Sequence, residues 1–407
     1  MAASTPTHTP IRETIGVTGD AVRPLSIAVP EPYLEDLRQR LTVTRWPPRE
    51  AVADGSQGVR LERLRELVAY WRDGYDWRRA EAKLNALPQF VTQIDGLDIQ
   101  FAHVRSPHPE AMPLVMTHGW PGSIFELLKV VGPLTDPTAH GGRAEDAFHL
   151  VLPSYPGYGF SGKPASPGWG PDRVARAWDE LMWRLGYEDY VAQGGGWGAI
   201  VSQAMAAEPP SALRGIHVTM PAVVPEVVMA AIRSGAPMPA GLAAAERAAF
   251  DRLVDFHSRW SGYEAIMGTR PQTIAYALAD SPAGQAAFSY DRLAAGAVSG
   301  DEPDSALSQE EMLDNITLYW LTNTAASSSQ SFWEVSPSRP FDAVEIEIPV
   351  AVTVFPGENY QAPRSWAVRC YHDLRYWSEV DRGGHFAAWE EPELLVEEVR
   401  AAFRSQR

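Results

Sequence analysis

Apolar residues along this chain recur first with the period of a helix and then with that of a strand. Leu34, Leu37 and Leu41 fall on one helical face, and Leu61, Leu64, Leu67, Val68 and Trp71 repeat the pattern across residues 60–78. Beyond Phe90 the period shortens. Phe90–Ile94 and Leu97–Val104 form two β-type runs joined by Asp95-Gly96, a dipeptide suited to a hairpin turn. Short apolar runs then alternate with helical stretches. Strands are predicted at Leu114–Thr117, Leu150–Pro153, Tyr187–Gln193 and Gly215–Val218; helices start at Ser123 and cover Pro171–Leu185 and Ala199–Ala207. Such alternation implies βαβ crossovers and a mostly parallel sheet flanked by helices, an α/β fold.

From Pro221 to Pro340 the alternation stops, and helices are predicted over Ala243–Tyr263, Thr269–Leu278 and Met312–Thr322. Strand–helix order resumes with Ile348–Phe355, a segment Arg364–Leu374, a short strand near Tyr376–Val380 and a last helix Pro392–Phe403. The expected organisation is an N-terminal wrapping extension over residues 1–89 (1–10 a disordered lead), a core over 90–220 and 341–407, and a helical cap over 221–340.

Composition narrows the function classes. A net charge of −16 argues against a nucleic-acid partner, whose phosphates need a basic surface. Cys370 is the only cysteine, which excludes an internal disulfide framework and a cysteine metal cluster. No apolar run approaches the roughly 18 residues of a membrane span, and residues 1–10 lack the pattern of a secretory signal. A cytoplasmic protein without a membrane partner is expected. The sequence carries no phosphate loop, dinucleotide fingerprint or metal-ligand cluster, so no metal and no cofactor is expected. A small-molecule substrate is the expected partner, with a homodimer left open.

The chain is organised around Gln193-Gly194-Gly195-Gly196-Trp197-Gly198. Its frame is Gly-x-Nu-x-Gly, a strand-to-helix turn that lifts a nucleophile above an α/β-hydrolase sheet. The nucleophile position is Gly196, which has no side chain, and Gly194, Gly195, Trp197 and Gly198 offer no substitute. Further motifs run along nearly the whole chain: Asp76-Trp77-Arg78 through Leu84-Asn85, His118-Gly119-Trp120-Pro121-Gly122-Ser123, Asp280-Ser281-Pro282, Tyr319 to Thr324, and Arg382-Gly383-Gly384-His385-Phe386. Together they resemble the α/β-hydrolase epoxide hydrolases with an N-terminal extension, the microsomal-type group and its bacterial relatives, including homologues from enediyne and other secondary-metabolite clusters.

The resemblance implies an elbow aspartate that attacks the epoxide, a His–carboxylate pair that hydrolyses the resulting ester, and two cap tyrosines that protonate the epoxide oxygen. Carried over by motif, His385 is the base, Glu358 its orienting acid, and Tyr263 one cap tyrosine. The second tyrosine falls at Phe332, and the oxyanion donors are the backbone N–H groups of Trp120 and Trp197. Gly196 and Phe332 depart from the pattern on separate elements, as in natural divergence.

Three functions stay open. In the first, His385 acts as general base in a cofactor-independent, non-hydrolytic epoxide opening. A C–C or C–O bond then forms on a bulky aromatic, polyketide-type substrate held among Trp120, Trp197, Phe332 and Trp333. In the second, His385 activates water directly against an epoxide or ester. In the third, the protein binds a reactive metabolite without turning it over.

Overall fold

The computed structural model describes residues 20–52, 55–296, 307–335 and 343–407. The lead expected over residues 1–10 and the boundary expected at 340–341 lie outside them. Nine strands form one sheet: β1 Arg23–Pro24, β2 Gln89–Ile94, β3 Leu97–Val104, β4 Met112–Thr117, β5 Phe148–Pro153, β6 Tyr190–Gly194, β7 Leu213–Val218, β8 Ile346–Val354 and β9 Tyr371–Glu379. Their order is β1-β2-β3-β5-β4-β6-β7-β8-β9. The pairs from β5 to β9 are parallel, and those on the β1–β3 side are antiparallel. The β2–β3 turn is the predicted one, with Asp95 and Gly96 both at positive φ.

The first 85 residues contribute α1 Glu31–Thr42, α2 Leu61–Asp73 and α3 Trp77–Asn85. The helical pattern across 60–78 breaks at Gly74, and Asp76 caps α3 by accepting from the Arg78 backbone N–H at 3.0 Å. α4 Ile124–Thr135, α5 Pro171–Arg184 and α6 Trp197–Ala207 cross over between the parallel strands. β4 and β6 sit in mid-sheet with their C-terminal ends buried, so their apolar runs are continuous rather than alternating.

Between β7 and β8 stand α7 Glu226–Ser234, α8 Ala244–Arg259, α9 Gly262–Thr269, α10 Pro271–Asp280, α11 Pro282–Gly296, α12 Gln309–Thr322 and α13 Ala325–Val335. The helix expected over Ala243–Tyr263 divides before Gly262, where the Ser261 hydroxyl bonds back to the His257 carbonyl, so Tyr263 opens a new helix. The sequence pattern did not reveal α11 or the serine-rich α13. In α13 Ser328 and Ser329 donate to the Ala325 carbonyl within the helix.

α14 Arg364–Cys370 then leads into β9, which starts at Tyr371 rather than near Tyr376 because Tyr371 already pairs with Ile346 of β8. α15 Ala387–Glu390 and α16 Pro392–Phe403 close the chain. The extension docks on the helical insertion through Asp314 of α12, which accepts from Lys83 Nζ at 2.7 Å and from the Tyr75 hydroxyl at 2.8 Å. Among the described residues no helix is long and apolar enough to cross a membrane.

Candidate active site

Chain order reverses between β4 and β6: β5 follows β4 on one side, while β6 to β9 continue on the other. Open α/β sheets bind ligands outside the carboxyl ends of the strands at such a switch point. Two loops flank it, His118–Ser123 after β4 and Gly195–Gly196 after β6. They touch, since a Cβ on Gly119 would stand 3.4 Å from the Trp197 backbone nitrogen. α12 holds the first loop: Asn315 Nδ2 donates to the Pro121 carbonyl at 2.6 Å, and the Tyr319 hydroxyl to that of Gly122 at 2.7 Å. His118 is structural; burial pushes its pKa down to about 4.

The turn after β6 has the geometry its glycines predict. Gly196 sits at φ +50°, ψ −124°, a conformation that L side chains rarely adopt. A Cβ on Gly198 would stand 1.9 Å from the Thr117 carbonyl oxygen, so α6 approaches β4 only because that side chain is missing. Trp197 is the first residue of α6, and its N–H belongs to the orphan donors of a helix N-terminus.

The base and its orienting acid are 27 residues apart and meet because the loops after β8 and β9 are zipped together. Gly357 pairs with Gly384, and the Gly357 N–H donates to the Gly383 carbonyl at 3.1 Å. His385 Nδ1 then lies 2.8 Å from Glu358 Oε1, which also accepts from the Asn359 backbone N–H at 2.6 Å. Burial by itself would lower the imidazole pKa; the charge and hydrogen bond of Glu358 outweigh it and hold His385 above its ordinary value. Its Nε2 faces the elbow, 3.2 Å from where a Cβ on Gly196 would stand.

Above this dyad lies a pocket of about 380 Å3, counting its open mouth. Gly196, His385, Trp120, Trp197, Tyr263 and Phe332 all line it, together with Ile200, Met220, Glu264, Asn359 and Tyr360. Tyr263 stacks on Trp120 with centroids 4.9 Å apart, and Phe332 stands edge-on to Trp197 at 4.8 Å and to Trp120 at 5.5 Å. Trp333 is not part of this wall. Neighbouring residues on a helix point about 100° apart, so α13 turns Phe332 inward and leaves Trp333 43% exposed. The open seat beside Gly196 is also tighter than the missing side chain alone suggests, because the imidazole closes over it.

Two matching models describe the chain by parts: "Epoxide hydrolase N terminus" over residues 22–127 and "alpha/beta hydrolase fold" over 112–295. A Stigmatella aurantiaca protein assigned to the epoxide hydrolases is 53% identical over 386 residues, covering 95% of this chain and 86% of its own. Epoxide hydrolase 1 of Sus scrofa is 35% identical over 402 residues, covering 94% and 88%. The chain belongs to the epoxide hydrolases. The crystal structure of juvenile hormone epoxide hydrolase from the silkworm Bombyx mori superposes with a TM-score of 0.85, at 27% identity and over 95% of both chains. The fold is thus an α/β hydrolase, with a mostly parallel sheet flanked by helices.

Within this epoxide-hydrolase scaffold two carboxylates near the dyad escaped the sequence reading. Glu264 follows Tyr263 on α9, lines the pocket and accepts the Tyr263 hydroxyl at 3.0 Å. Glu126 on α4 lies behind His385, in a small cavity that also borders Thr117, Gln193 and Thr219, and its Oε2 has no hydrogen-bond partner among the described residues. Burial pushes both acids up to about 7, against the positive influence of His385 on each. Glu264 carried a signal, an acidic residue beside a pocket tyrosine. Glu126 carried none, since it reads as an ordinary polar position in the first turn of a helix.

Proposed function

We propose that this protein opens epoxides by acid–base catalysis without a covalent ester, His385 acting as general base on a water molecule. The observation that carries this reading is the position of Nε2, which faces the side-chain-free tip of the elbow. A small nucleophile seated outward of Gly196 meets the base there, where an aspartate would otherwise stand between them. Glu358 fixes the tautomer and stabilises the imidazolium that forms. The Trp197 N–H, at the N-terminus of α6 next to Gly196, adds a dipole there, and the Trp120 N–H is the second donor that the family resemblance implies. General-base assistance of this kind contributes about 10²–10⁴-fold.

The aromatic wall, with Tyr263 stacked on Trp120 and Phe332 edge-on to both, favours a second reading for the nucleophile. A planar aromatic substrate suits this wall, and a carbon or oxygen nucleophile on such a molecule replaces water, forming a C–C or C–O bond as in the chemistry expected of a polyketide substrate.

The test is one turnover of an aryl epoxide by excess enzyme in heavy-oxygen water. Direct attack gives a diol carrying the label in that first turnover, whereas ester formation takes the first oxygen from the protein and leaves it unlabelled. His385→Ala abolishes turnover while ligand quenching of the pocket tryptophans persists. Binding without turnover in the unaltered protein identifies a binding protein instead.

A further inference from the structure

Two phenols border the pocket. Tyr360 has its hydroxyl 3.4 Å from His257 Nε2, whereas Tyr263 packs against Trp120 and Phe332, and a phenol as buried as Tyr263 is a poor proton donor. Burial, and after it the negative charge of Glu264, hold its pKa well above the ordinary value, partly offset by Arg292. Phe332 brings no hydroxyl to help it. Yet Tyr263 does not stand alone. Its hydroxyl is 3.0 Å from Glu264 Oε1, and the guanidinium of Arg292 on α11 lies 4.7 Å from its ring centroid. Glu264 itself borders the pocket and is only partly buried.

We infer that Glu264 is the proton reserve of the site, delivering its proton through the Tyr263 hydroxyl to the oxygen of an opening epoxide. This rests on the acid–base reading above and assigns its acid side. As the epoxide C–O bond breaks, the oxygen takes the Tyr263 proton and Tyr263 takes one from the Glu264 carboxyl. On the other side the attacking water forms the new C–O bond and gives its proton to His385 Nε2. The turnover ends with an imidazolium and a carboxylate in one pocket, and solvent returns the proton from one to the other. No oxidant or further reactant is needed. Arg292 steadies the transient phenolate.

The groups facing Glu264 decide its charge: Tyr263 on its own helix, Arg292 from α11, and His385 and Tyr360 from the loops after β9 and β8. Burial outweighs the positive members of this set and brings the carboxyl to about 7, so it is partly protonated at neutral pH.

The test compares aryl-epoxide turnover by the unaltered protein, Glu264→Gln, Tyr263→Phe and the double variant between about pH 5 and 9, bracketing this value. Glutamine keeps an acceptor for the Tyr263 hydroxyl and cannot supply a proton. We expect kcat to fall about 10²-fold at unchanged KM, loss of the alkaline limb near pH 7, and a double variant no slower than Tyr263→Phe. An unchanged rate and pH profile in Glu264→Gln overturns the assignment, as does a substrate adduct on Glu264. If the unaltered protein shows no His385-dependent turnover, the base reading fails separately. Infrared difference spectra against Glu264→Gln then decide the relay. A carboxyl band that titrates near neutrality and moves in Tyr263→Phe supports it; its absence overturns it.

Discussion

The Nε2 edge of His385 lies over Gly196 with no side chain between them, and a Cβ built there would stand 3.2 Å from that nitrogen. This contact is tight but not prohibitive, so a carboxylate can be put back if the imidazole gives way by a few tenths of an ångström. Gly196→Asp is therefore expected to bring back covalent chemistry. Intact-mass spectrometry of a quenched reaction should show an epoxide adduct in the variant and none in the unaltered protein. The residue must take φ near +50°, which costs about 1–3 kcal/mol and lowers the melting temperature. An adduct already present with Gly196 would remove the non-covalent reading.

Glu358 does for His385 what burial works against. With a folded pKa raised above about 6.5, the pair contributes stability that is full below that value and fades as pH rises through the folded pKa. The neutral imidazole is the base, so turnover climbs with pH over the same range. Glu358→Gln is expected to shift this acid limb to lower pH and to cut kcat by about 10²–10⁴-fold. Titration of the His385 ring by NMR measures the shift directly, and an unmoved titration would contradict it.

Glu126 makes the opposite contribution. Burial raises its carboxyl from 4.5 to about 7, so the folded state holds that proton more tightly than the unfolded chain. Stability is then lost as pH rises from about 4.5 towards 7, by about 3 kcal/mol in all at about 1.4 kcal/mol per unit. Glu126→Gln is expected to flatten this part of the pH profile of the melting temperature and to be the more stable protein at pH values above about 7. A profile identical to that of the unaltered protein would show that the carboxyl is not held in its neutral form.

Asp314 joins the extension to the helical insertion, accepting from both Tyr75 and Lys83. Lys83 is well exposed, so its charge is largely screened and the half-buried Tyr75 bond carries more of the effect. Asp314→Ala is expected to cost about 1–3 kcal/mol and to raise hydrogen exchange in α2, α3 and α12. Unchanged exchange in α3 would place the docking energy elsewhere, on the apolar contacts of Trp71, Trp77 and Leu84.

The residues by themselves determined what depends on local pattern. Alternating strand and helix periods marked the parallel sheet, Asp95-Gly96 marked its hairpin, and the glycine spacing from 194 to 198 marked a tight strand-to-helix turn whose tip has no side chain. His385, Glu358 and Tyr263 could be singled out as candidates because each falls at a position where the chain resembles a known family. Distances were not legible. That His385 meets Glu358, that Tyr263 leans on Glu264, and that Phe332 faces the pocket while Trp333 faces solvent all follow from how separate segments pack. Periodicity fixes which face of an element is apolar; only the closing of loops and the stacking of helices on the sheet fixes what that face meets.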